Sequence, residues 1–162
     1  MVYIINLYAD GGCRGNGRPG AIGAAAVLFK KRKGRWRPKH SVALPSSPPP
    51  TNQRAELTAV ILALEMALKQ PAKLRTDPWL DVTIYIDSKY AKGCMVEWIH
   101  KWRQNGWINA RGEPVVNTDL IMRASALDSQ LRKIADVEYK WIPREQNWRA
   151  DELCNDAMDA QC

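Results

Sequence analysis

Histidine is scarce: only His40 and His100 occur among 162 residues. The four cysteines (Cys13, Cys94, Cys154 and Cys162) are too far apart for a C-x-x-C motif. A zinc site or a redox dithiol is therefore not expected, and reduced thiols in an intracellular setting are the default. No Ser-His or Cys-His arrangement suggests a nucleophilic side chain. No apolar run approaches the ~18 residues of a membrane-crossing helix. The first residues, Met1 to Leu7, carry no basic segment, and Asp10 and a glycine-rich stretch follow. A secretory leader is not expected. Repeats and long linkers are also missing. Acidic residues fall short of basic ones, 17 against 24, leaving a net charge of +7. Such a surface favours polyanions, nucleic acid before an anionic membrane. The 46 % apolar and 25 % charged content is that of a folded protein. The length fits one domain over residues 1–162.

Residues 2–9 alternate and read as a first strand, ended by a turn over Asp10 to Gly17. Residues 21–30 and 36–44 read as a second and a third, antiparallel strand. The run from Lys30 to Lys39 between them holds seven Lys or Arg in ten positions. Its simplest reading is a solvated hairpin tip; an auxiliary phosphate contact and a nuclear localisation signal are the alternatives. After the Pro45–Pro50 loop, Thr51 or Asn52 caps a helix to about Lys69, with Leu57, Ile61, Leu64 and Leu68 as its apolar stripe. Asp81–Asp87 is a fourth strand. Residues 88–104 read as helical, broken at Asn105-Gly106. A helix opened by Val116 or Asn117 and capped by Asn117 or Thr118 runs to about Ile134, and a strand at Val137–Ile142 and a helix at Trp148–Met158 complete the chain. The order suggests an α/β fold: a mixed five-stranded sheet with helices on both faces.

Asp10, Glu56, Asp87 and Asp151 fall where strands meet helices. Any one of them alone reads as a turn former or cap. Acids anchored to a core without basic partners call for a cation, and a hard divalent ion with oxygen ligands supplies one. Their context is sharper: Tyr8-Ala9-Asp10-Gly11-Gly12-x-x-Gly15-Asn16, then Thr51-Asn52-Gln53-Arg54-Ala55-Glu56-Leu57, then Ile86-Asp87-Ser88-Lys89-Tyr90.

In these motifs the chain resembles type 1 ribonuclease H, nearly end to end. The resemblance implies sheet order 3-2-1-4-5. It implies an endoribonuclease that hydrolyses the RNA strand of RNA–DNA hybrids, leaving 5′-phosphomonoesters. It further implies two Mg²⁺ ions, with Mn²⁺ as a substitute. Asp10 would bridge both, Glu56 and Asp87 would complete one site and Asp151 the other. One ion would activate the attacking water and the other would stabilise the leaving oxygen. Many members carry a mobile histidine before the last acid. Here the loop reads Pro143-Arg144-Glu145-Gln146-Asn147-Trp148-Arg149-Ala150-Asp151. Arg144 is the candidate replacement, acting by charge or in product release, because a guanidinium with a pKa above ~12 takes up no proton. The alternatives are that it binds backbone phosphate or pairs with Glu145.

Hybrid recognition is expected at the turn Gly11, Gly12, Cys13 and Asn16, and at Thr51, Asn52, Gln53, Ser88 and Asn117. Glu56 is a second candidate for the 2′-hydroxyl, the group that marks RNA. Turn and cap duties compete for Asn16 and Asn117. A segment near 96–112 interleaves Trp98, Lys101, Trp102 and Trp107 and resembles the basic handle of cellular enzymes. Core anchoring is the alternative for Trp98. A hybrid-binding module without activity and a domain excised from a retroelement polyprotein compete with the enzyme reading. A transposase or integrase core is a further alternative. The expected partner is the hybrid and not a membrane, with a monomer as the default.

Overall fold

The computed structural model describes residues 2–30 and 36–162. Most of the basic run after Lys30 lies outside the described residues and side chains. Five strands form one sheet in the order β3-β2-β1-β4-β5. They are β1 (Val2–Arg14), β2 (Ile22–Lys30), β3 (Trp36–Ala43), β4 (Trp79–Ile86) and β5 (Ala135–Trp141). β1 runs antiparallel to β2, and β2 to β3. β4 and β5 join in parallel on the other side of β1. Helix α1 (Asn52–Leu68) follows β3. A short α2 (Lys89–Gly93), a π-helical turn (Cys94–Trp98) and α3 (Ile99–Asn105) follow β4. Then come α4 (Thr118–Leu131) and, after β5, α5 (Trp148–Asp159).

Helix α1 is apolar all round, not along a stripe. Ten of its residues are buried, including Ala55, Leu57, Val60, Leu62 and Leu64. A helix of that kind has no solvent side to offer, and α1 lies between the sheet and α4. α5 covers the opposite face over β2 and β1. There Ala24 and Ala26 meet Cys154 and Met158 in a second, smaller core. The small alanines let the helix come close. Being covered on both faces, β2 is buried from Gly23 to Phe29.

The expected turn at Asp10 is corrected by the structure. β1 continues to Arg14, pairing Asp10 with Ala26 and Arg14 with Ile22. The chain turns only at Gly15, Gly17 and Gly20, all at positive φ. Glycines 11 and 12 are strand residues needed for close packing, not for bending. A Cβ on Gly11 would lie 2.1 Å from the Ala55 carbonyl oxygen of α1. β1 pairs with β4 only as far as Tyr8–Tyr85. From Asp10 onward β1 therefore has a strand neighbour on one side only, and a crevice opens on the other. Crevices of this type, where connections leave in opposite directions, are where open α/β sheets bind ligands.

The expected single helix over 88–104 contains the π turn. Its extra residue carries Trp98 back over Gly93, where a Cβ would lie 2.7 Å from the indole ring. Asn105-Gly106 ends α3 as expected, with Gly106 in the left-handed region. Replacing Gly11 with Ala would force α1 off the sheet. We expect a loss of about 1–3 kcal/mol, as for other overpacked cores, visible as a lower urea midpoint.

Candidate active site

Each acid is placed by a different element. Asp10 points out of β1 and is buried. Glu56 lies in the second turn of α1, held by the Thr51 cap whose hydroxyl accepts from Arg54 N. Asp87 is the residue after β4, and Asp151 sits in the first turn of α5. Asp10, Glu56, Asp87 and Ser88 line one open cleft, with Gly11 and Ala59 in its wall. Asp151, on α5, is near enough for its charge to act on Asp10, while its own carboxyl accepts from Arg144 and Asn155.

These carboxyls resist ionising together. Burial, then the charges of Asp87 and Asp151, push Asp10 up to about 9, against a smaller opposing pull from Arg144. Glu56 and Asp87 are also raised, first by burial. Neighbouring side chains offset part of that cost. Ser88 Oγ donates to Glu56 at 2.6 Å while accepting from Ala91 N at the start of α2. Asn147 Nδ2 donates to Asp87 at 3.2 Å, and Trp141 Nε1 donates to the Asp87 backbone oxygen at 3.0 Å. Arg144 pairs with Asp151 at 3.4 Å, so its partner is not the adjacent Glu145.

Among the described residues, no three His, Cys, Asp or Glu groups stand drawn together as a ready metal cage. Like charges explain this: Glu56 leans to Ser88, Asp87 to Asn147 and Asp151 to Arg144. The donors still fit a hard cation. All are carboxylate oxygens, and a divalent charge would offset both the burial and the mutual repulsion of Asp10, Glu56 and Asp87.

The surrounding residues divide by task. Gly12 faces Met158 and Cys154 of α5. Cys13 Sγ donates to the Pro50 carbonyl at 3.2 Å. Asn16 Oδ1 accepts from Asn52 N at 2.7 Å, tying the β1–β2 turn to the start of α1. Asn52 and Gln53 are exposed at that end. Asn117 takes the N-cap position of α4 in the left-handed region, yet its side chain makes no cap bond. It instead donates to Tyr90 Oη at 3.1 Å, accepts from Arg54 at 3.3 Å and lies 3.5 Å from Gln53. Arg54 is held by a two-pronged pair with Asp119 at 3.0 and 2.8 Å. Tyr90, Trp98, Trp102 and Trp107 form a chain of ring contacts 5.9–6.4 Å apart. Trp98 is exposed, whereas Trp102 and Trp107 pack on the main core. Lys101 is exposed beside them.

Sequence reasoning missed Asn147, which is 1 % exposed. Its Nδ2 also donates to the Ala9 carbonyl at 2.9 Å, so one amide ties β1 to Asp87. The signal available was its place four residues before Asp151. Trp141, Arg54 and Tyr90 were missed in the same way, because their partners lie far along the chain.

A family model described as RNase H matches residues 3–159. A ribonuclease H from Chromobacterium violaceum is 36 % identical, covering 96 % of this chain and 95 % of the relative. One from Hydrogenovibrio crunogenus is 38 % identical, covering 96 % and 95 %. The crystal structure of LC9-RNase H1, a type 1 RNase H with the type 2 active-site motif, superposes with a TM-score of 0.76 at 29 % identity. That match covers all of this chain and 75 % of the other. LC11-RNase H1, crystallised with an RNA/DNA hybrid, gives 0.68 at 26 % identity over 97 % and 98 %.

The raised carboxyls carry a sign. A folded-state pKa above the unfolded value means the fold holds the extra proton, so stability falls as pH rises from the ordinary Asp range toward 9. Without divalent ions, Asp10→Asn is therefore expected to raise the melting temperature at pH 8 by roughly 3 °C or more, with little change at pH 4. Added Mg²⁺ should narrow the pH 8 gap by stabilising the unmodified protein. A melting series in chelator and in Mg²⁺ measures both.

Proposed function

The chain belongs to the ribonuclease H family, and from that premise and its acid-lined cleft we infer how it cleaves the RNA of RNA–DNA hybrids. The observation that carries the inference is the meeting of Asp10, Glu56 and Asp87 in one cleft, with the Asp151 charge acting on Asp10. The family generally uses divalent metal. Asp10, Glu56 and Asp87 would hold one ion, and Asp10 with Asp151 a second. When bound, such ions neutralise charge at the scissile phosphate and make a water more acidic.

The chain's own groups do the rest. Ser88 holds Glu56 in one orientation, and Asn147 and Trp141 hold Asp87. Fixing donors before substrate arrives spares reorganisation during the reaction. The α1 end, with Asn52, Gln53 and Glu56, faces the minor groove and tests for 2′-hydroxyls. Asn16, Thr51 and Asn117 steady the strands, helped by backbone contacts at Gly11, Gly12 and Cys13. Ser88 serves by orienting Glu56, since its hydroxyl is already used twice. Trp98, Lys101, Trp102 and Trp107 form a protruding grip for the DNA strand: exposed Trp98 and Lys101 make contact, while Trp102 and Trp107 anchor it.

Arg144 stands where relatives with a histidine would have one. It is largely exposed, and its neighbours, Asp151 foremost, raise its pKa further, so it stays cationic throughout. Its work is electrostatic: it holds Asp151 until substrate charge competes for it, and then draws on the departing phosphate.

Labelled RNA–DNA hybrid, double-stranded RNA, double-stranded DNA and single-stranded RNA, each with Mg²⁺ and with chelator, test the reading. Cutting of hybrid alone, dependent on metal and lost in Asp10→Asn at unchanged fold, is expected. Hybrid binding without cutting would leave only a binding module. For Arg144→Ala, turnover is expected to fall about tenfold, the size of a charge contact of ~1.4 kcal/mol. Single-turnover cleavage and product release both unchanged would remove Arg144 from the reaction.

A further inference from the structure

The sheet face that α5 leaves uncovered carries a row of rings and cations that the cleavage reading does not use. β1 and β4 present Tyr8 and Tyr85 as register partners, and the two rings stack at 4.4 Å with 12° between planes. Trp36 of β3 meets Tyr8 edge-on at 4.7 Å. Lys30 lies over both Tyr8 and Trp36, at 5.9 and 5.5 Å. Arg149, in the first turn of α5, is sandwiched between Trp36 at 4.6 Å and Trp148 at 4.3 Å. Lys140 of β5 is the register partner of Tyr85 and closes the far end.

Lys30, Lys140, Arg149 and Trp148 are exposed, and Tyr8, Tyr85 and Trp36 are half-buried. From β5 to β3 the row crosses four inter-strand steps, roughly 19 Å. It also has a fixed relation to the acids. Tyr8 and Asp10 share a face of β1, two residues apart, and Arg149 precedes Asp151 by two on α5. Tyr8 thus lies two residues, ~7 Å along the strand, behind Asp10. Asp81, Asp136 and Glu138 are exposed farther back on β4 and β5, and repel phosphates from the rest of this face.

Planar rings interleaved with cations, bounded on one side by acids, form a surface for an unpaired polynucleotide strand. Bases stack without regard to sequence, and Lys or Arg meet the phosphates. We propose that the Tyr85–Tyr8–Trp36–Arg149–Trp148 row binds single-stranded nucleic acid, as the unpaired flank running off a hybrid held in the cleft. This rests on the hybrid-cleaving reading only in naming the flank as the strand's source.

The test measures binding of fluorescent oligouridylate to the full chain in chelator, by anisotropy, beside cleavage of a short blunt hybrid in Mg²⁺. Trp36→Ala and Arg149→Glu are each expected to weaken oligouridylate binding about tenfold while blunt-hybrid cleavage stays within about twofold. If Trp36→Ala does not fold, Arg149→Glu decides, since an acid in the first turn of α5 suits the helix. Binding by folded Arg149→Glu within about twofold of the unmodified chain overturns the proposal, and so does oligouridylate that the unmodified chain does not bind. A blunt hybrid left uncut by the unmodified chain would instead count against the cleavage reading and leave the binding result standing.

Discussion

Everything at the site follows from holding mutually repelling carboxyl groups out of water on a frame that cannot relax. Asp10 is fixed by a strand, Glu56 by a buried helix, Asp87 by a strand end and Asp151 by a helix start. Had these groups sat on loops, repulsion would have swung them apart into solvent. Here the backbone is pinned by packing on both sides of the sheet, so burial first and repulsion second raise the pKa values of Asp10, Glu56 and Asp87. A bound divalent cation would lower that same penalty.

The packing that enforces this is close and made of small residues. Gly11 lets α1 lie on β1, and Ala24 and Ala26 let α5 lie on β2. Both helices that carry acids are therefore set directly by the sheet, with little side-chain volume between. Asn147 adds a polar tie, its amide bonded to Ala9 and to Asp87. Close contacts of these kinds link the elements that carry the acids.

Strand and helix order, and the four acids, were legible because they rest on local periodicity and on motifs that each lie within a few residues. The sheet order came with the family resemblance, and the structure agrees with it. What was not legible depended on distant partners. A glycine pair after an acid looks like a turn, and only the approach of Ala55 reveals it as strand. Leu57, Ile61, Leu64 and Leu68 suggested a stripe, but α4 covers the side that a stripe would leave wet. The pairing of the Ser88 hydroxyl with Glu56, 32 positions away, was likewise out of reach of local sequence. The role of Asn147 was not legible beyond its place near Asp151, because its partner Ala9 lies 138 positions away.

The uneven ladder of β1 has one more implication. Past Tyr8 the strand keeps β2 on one flank and loses β4 on the other, so Asp10 is anchored and reachable at once. A residue in that situation gains nothing from a longer or shorter neighbouring loop. Changes of specificity in this architecture must come from the rim, where turns and helix ends tolerate insertion. The acid at the centre stays in register with Ala26 whatever the rim becomes.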